Sequence, residues 1–129
     1  MSEDSLSSEA LAAFLAEGFE AVSSPNGLKL VRGHCEVRVS RQAARDTLQL
    51  EIPVVRLIPE RPLPPAALSY LEERNRAGKG PGRFEVEGKT VWYRATVEAG
   101  IAPESLALLA LAMQETVERI GPKILNILR

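Results

Sequence analysis

The sequence predicts an α/β (α+β) protein with a single antiparallel sheet of about five strands, element order α-β-β-β-α-β-β-α, and helices packed mainly on one face. Three observations carry this. Leu48, Leu50, Ile52 and Val54 alternate with the polar Gln49 and Glu51, and a strand with one wet face belongs to an antiparallel meander. Apolar residues at helical spacing occupy the two ends and the middle of the chain. The 129 residues, 45% of them hydrophobic, suffice for one core and not for two, so 1–129 reads as one domain.

The elements follow in order. Leu6 to Glu17 reads as a helix with Leu11, Phe14 and Leu15 on one stripe, Ser7 or Ser8 as its cap and Gly18 as its stop. From Phe19 the helical period is lost, and Ser24-Pro25-Asn26-Gly27 is turn chemistry. Three strands are expected at Leu28–Arg32, Cys35–Ser40 and Thr47–Val54, separated by Gly33-His34 and a polar loop from Gln42 to Asp46. Prolines 59, 62, 64 and 65 then end the ladder and start a helix over Pro65–Ala77, where Ala67, Leu68 and Leu71 face inward. Gly78 to Gly82 is a connector. Strands Arg83–Glu87 and Thr90–Glu98 meet at a Gly88-Lys89 hairpin. The last helix runs from Pro103 to about Ile120; Gly121-Pro122 ends or kinks it, leaving Ile124 to Leu128 as a short helical tail whose apolar residues need a partner surface.

Composition excludes several function classes. One cysteine, Cys35, forms no internal disulfide, and with one histidine, His34, the usual Cys/His zinc cages cannot be built. The start, Met1 to Glu9, has no positive n-region or apolar h-region, and no apolar run spans a bilayer, so a cytoplasmic protein without membrane association is expected. Net charge is −1, yet residues 29–83 carry eleven bases against six acids. Lys29, Arg32, Arg38, Arg41, Arg45 and Arg83 are therefore candidates for phosphate contacts, although no interleaved aromatics offer base stacking.

Catalytic patterns fail on geometry. Gly82 to Lys89-Thr90 resembles a phosphate-binding loop, but five residues separate its glycines and a strand follows, so no helix N-terminus meets a phosphate. His34 and Cys35, adjacent in an extended segment, leave opposite faces. Glu72 and Glu73 read as a solvated helix face, and Glu85 and Glu87 share a strand face as surface charge. No catalytic residue, metal ligand or cofactor is expected. The residues singled out for partner binding are Trp92 and Arg94, with Tyr70 and Arg74 one helical turn apart as a weaker pair. Trp92 has the parity of Thr90, Arg94 and Thr96, on the polar side of its strand; it serves an interface there, or covers neighbouring aliphatic stems.

Leu71-Glu72-Glu73-Arg74-Asn75, then Gly82-Arg83-Phe84 with its hairpin, and Gly100-Ile101-Ala102-Pro103-Glu104-Ser105-Leu106 opening an apolar helix resemble the YbjN-like family of bacterial sensory transduction regulators. The first half of the chain matches in element order only, and Gly78-Lys79-Gly80-Pro81-Gly82 is unlike the tighter family connector. The resemblance implies a fold similar to type III secretion chaperones, often dimeric, that binds other polypeptides and turns over no substrate. It carries no catalytic residue across. The expected function is thus a non-enzymatic homodimeric module holding a segment of a partner protein; the alternative is a nucleic-acid accessory protein using region 29–83.

Overall fold

A computed structural model describes residues 7–24, 27–42, 44–57, 63–78 and 80–128. The order is α1 (Ser8–Ala16), β1 (Glu20–Ser24), β2 (Gly27–Arg32), β3 (Cys35–Gln42), β4 (Thr47–Arg56), α2 (Pro65–Ala77), β5 (Arg83–Glu87), β6 (Thr90–Glu98) and α3 (Pro103–Leu128). All strand pairs are antiparallel, in the order β1-β2-β3-β4-β6-β5, with the helices on one face. The sheet has six strands where about five were expected. The addition is β1, which follows Phe19 and pairs from Glu20↔Val31 to Ser24↔Gly27. The expected turn centre Pro25-Asn26, prolines 59 and 62, and Lys79 of the connector lie outside the described residues.

Local chemistry sets the boundaries. The Ser7 hydroxyl accepts from the Ala10 N–H and caps α1. Pro65 opens α2, where its missing N–H costs nothing, and Gly78 closes it at φ +62°, a left-handed conformation that glycine adopts without strain. Alternation in β4 and β6 sends Leu48, Leu50, Ile52, Val91, Tyr93 and Ala95 inward. There they meet Leu106, Ala110 and Met113 of α3 and Phe14 of α1 in one cluster. Phe14 and Phe19 pack edge to face at 5.7 Å, which ties the end of α1 to the start of β1.

The last helix corrects an expectation. The tail is helical as expected, but it is continuous with the rest of α3, which passes through Pro122 and runs to Leu128 and not to about Ile120. A proline there loses one backbone hydrogen bond, but Ile120 and Ile124, four residues apart, are fully buried and Leu128 packs against the same core. Burying two isoleucines stabilises by about 3–6 kcal/mol, as much as the proline costs or more. The tail therefore has its partner surface within the chain, and of its large residues Leu125 remains exposed.

The β5 edge is capped at Phe84 by a side chain. The Asn75 carboxamide donates through Nδ2 to the Phe84 carbonyl at 2.8 Å and accepts through Oδ1 from the Phe84 N–H at 2.7 Å, standing where a neighbouring strand would stand. Behind this edge, Gly82 N–H donates to the Tyr93 hydroxyl at 2.8 Å. A Cβ at Gly82 would lie 2.5 Å from the Arg94 carbonyl oxygen, so the close approach requires glycine.

Candidate functional site

The outer face of the sheet carries a lattice of mixed charge. Register places Val22, Lys29, Arg38, Glu51, Arg94 and Arg83 side by side across all six strands. Lys29 and Arg38 both reach Glu36, at 3.3 and 2.7 Å, and this pair of cations holds its carboxyl below the ordinary range although burial opposes the shift. Arg94 contacts Glu51 at 2.6 Å, Glu87 at 2.5 Å and Glu85 at 3.8 Å. Burial works against its charge, but hydrogen bonds to Glu51 and Glu87 win and raise its pKa above the usual arginine value. Glu85 and Glu87 thus serve as counterions to one arginine. Of the cations in region 29–83, Lys29, Arg38 and Arg41 are paired with acids, Arg41 with Asp46 at 3.0 Å, and Arg32 donates to the Glu17 carbonyl.

Trp92 lies at the centre of this lattice, half-buried, with the guanidiniums of Arg38 and Arg94 each 5.1 Å from its ring centre. The strand parity read from the sequence is right. Trp92 and Arg94 therefore come together. Tyr70 and Arg74 also meet, at 5.6 Å, but on α2, which packs with β5 and α3 on the helical side of the sheet. The Tyr70 hydroxyl and Arg74 Nε have no hydrogen-bond partner among the described residues. Arg74 borders a cavity of about 20 Å³ beside Gly80, Tyr93 and Thr116, room for one water. The two pairs thus occupy opposite faces and form no common site.

A larger opening lies where β3 and β4 part. Their ladder runs from Gln42↔Thr47 to Arg38↔Glu51 and stops, although β3 begins at Cys35 and β4 continues to Arg56. Beyond Glu51, β4 stays with β6 through Pro53↔Trp92, and a bulge then leaves Val54 unopposed before Val55↔Val91. Proline donates nothing to a neighbouring strand and a bulge sharpens the local twist, so β4 turns away from β3 at this level. The fork so made is a groove of about 950 Å³. Arg32, His34, Cys35, Glu36 and Arg38 line one wall, Ile52, Pro53 and Val54 the other, and Gln114, Val117 and Glu118 of α3 the floor.

Gln114 is the residue that the sequence reading missed. It is 4% exposed; its Nε2 donates to the Arg32 carbonyl at 3.1 Å, while Oε1 is buried with no partner among the described residues. An unmet buried acceptor costs about 1–3 kcal/mol. Its signal in the sequence was a glutamine between Met113 and Val117 on an otherwise apolar stripe. Cys35 and His34, expected on opposite faces, both border the groove. Burial first, then the charges of Glu118 and Glu36, push the Cys35 thiol up to about 11 against the pull of Arg32, so it stays protonated and unreactive at neutral pH. Among the described residues, no three His, Cys, Asp or Glu side chains could hold a metal ion, and no helix is long and apolar enough to cross a membrane.

No family model matches the chain, and no curated protein sequence does. Solved structures do. A chain of the ExsC–ExsE complex is 18% identical with a TM-score of 0.59, covering 83% of this chain and 76% of that one. A chain of the HopA1–SchA chaperone–effector complex is 15% identical with a TM-score of 0.60, covering 84% and 88%. At such identity the likeness shows a shared fold, the one found in a chaperone–effector complex.

Proposed function

We propose that this protein is a non-enzymatic, chaperone-like module of the YbjN-like kind that works in the cytoplasm as a homodimer and holds a segment of a partner protein against its sheet. The observation that carries the reading is the outer face, with Trp92 held between Arg38 and Arg94 on the side away from the helices. Tryptophan and arginine are the residue types that dominate interface energetics, and a ring already fixed by two cations loses little freedom on binding. The fold shared with a chain of a chaperone–effector complex supports the same reading.

The test is to pan displayed random dodecapeptides against the purified protein and titrate enriched peptides while following Trp92, the single tryptophan, by fluorescence. The expected outcome is saturable binding with micromolar Kd, about −8 kcal/mol, that shifts the emission and is weakened at least about tenfold by Trp92→Ala. Failure to enrich any peptide refutes the reading. Light scattering checks the homodimer, which requires twice the 14.1 kDa chain mass.

A further inference from the structure

We infer that the fork between β3 and β4 is the seat of the held segment: an extended stretch of the partner pairs its main chain with the free edge of β3 at Cys35–Glu36 and donates a backbone N–H to Gln114 Oε1. This rests on the protein-binding reading above and says where and how that binding occurs.

Two independent features point to a polypeptide backbone. The first is the interrupted ladder. Cys35 and Glu36 border the groove and belong to a strand whose other side is paired with β2 through Arg32 and Val31, but they have no partner in β4. A strand with an unpaired side is a template for another strand. The opposite wall is a poor template, because Pro53 has no N–H, so the guest registers on β3 alone. The second feature is Gln114. Its amide is anchored through Nε2, which leaves Oε1 as a buried acceptor on the floor of the groove, and what it lacks among the described residues is a donor. Main-chain N–H groups are the donors that every peptide carries whatever its sequence.

The walls define the guest further. Arg32 and Arg38 are offset by Glu36 and Glu118, so the groove favours a neutral ligand. Val54 and Val117 present apolar surface, while Glu36 and Arg38 lie on the outer side beside Trp92. Successive side chains of an extended guest point to opposite sides, which selects a short segment alternating apolar and polar residues. The volume, about 950 Å³, is at the upper end of what single ligands occupy and suits a few residues of such a segment.

The enriched dodecapeptides supply the probe. Each is resynthesised with one backbone nitrogen methylated at a time, and its affinity is measured for the protein and for Gln114→Leu. In parallel, alkylation of Cys35 by iodoacetamide at pH 9 is timed with and without saturating peptide, a readout that needs no variant to fold. Expected are losses of at least about tenfold at alternate nitrogens only, a similar loss with Gln114→Leu, and at least about tenfold slower alkylation under peptide. If peptides bind but tolerate methylation throughout and leave Cys35 as reactive as before, the fork is not the seat, and the protein-binding reading stands. If none is enriched, both fall.

Discussion

Replacing Arg94 with methionine removes the guanidinium while keeping most of the stem that covers Trp92, and the cost can be built from its contacts. Arg94 and Glu51 are 16% and 20% exposed at 2.6 Å, between a surface pair worth about 0.2–1 kcal/mol and a buried one whose breakage costs about 3–5. About 2 kcal/mol is reasonable. Glu85 and Glu87 are 53% and 67% exposed, so each adds only a few tenths. Loss of the cation over Trp92 adds about 0.5–1 kcal/mol. The sum, about 3 kcal/mol, corresponds to about 10 °C in Tm for a chain of this size. Urea titration followed by Trp92 fluorescence measures it. In 1 M NaCl the exposed contributions are screened while the Glu51 contribution persists, so most of the difference survives. The double variant Arg94→Met/Glu51→Gln recovers about 1–2 kcal/mol by removing the stranded carboxylate. A loss below about 1 kcal/mol, or one abolished by salt, would show that Arg94 is an ordinary surface charge.

Three further outcomes are expected. Asn75→Ala leaves the Phe84 N–H and carbonyl without their partner and costs about 2 kcal/mol, read as a lower urea midpoint with an unchanged m-value. Cys35, with its pKa near 11 against 9.0 for a free thiol, reacts with iodoacetamide at pH 8 about a hundredfold more slowly than a free thiol, and Glu118→Gln quickens it. The Glu36 carboxyl is held below its ordinary value of 4.5, so it stabilises the fold above that pH and the contribution is lost as pH falls through the lower folded value. Glu36→Gln consequently flattens the acid limb of a stability–pH curve. An acid limb as steep as that of the unsubstituted protein would contradict the assignment.

The inward-facing strand residues were legible because alternation is unambiguous when one face is dry: Leu48, Leu50 and Ile52 in β4, and Val91, Tyr93 and Ala95 in β6, are buried as their period required, whereas on α2 Ala67 and Leu71 are buried but Leu68, expected inward, is exposed. The first strand was not legible. Glu20-Ala21-Val22-Ser23-Ser24 has too little apolar contrast, and what makes it a strand is the ladder offered by Leu28 to Val31, a contact that lies outside its own sequence. Pro122 misled for a similar reason, since the local rule against an internal proline is outweighed by the burial of Ile124, visible only in the fold. Parity put Trp92 and Arg94 on one face, but no pattern within a single segment could place Arg38 over the same ring or set Tyr70 and Arg74 on the far side. The fork was beyond reach because it arises between elements. Pro53 within a strand was its one local sign.

The Asn75 clamp makes the sheet polar in the sense that a ribbon with one sealed selvedge is polar. A twin of the chain that annexes this sheet at an outer margin finds its open line along Glu20–Ser24, because on the far margin Phe84 is already engaged. Two copies joined there about a twofold axis would turn their clamped margins outward and present no second docking line. Growth by this route halts at a pair, and the chain is thereby kept from threading itself into fibres.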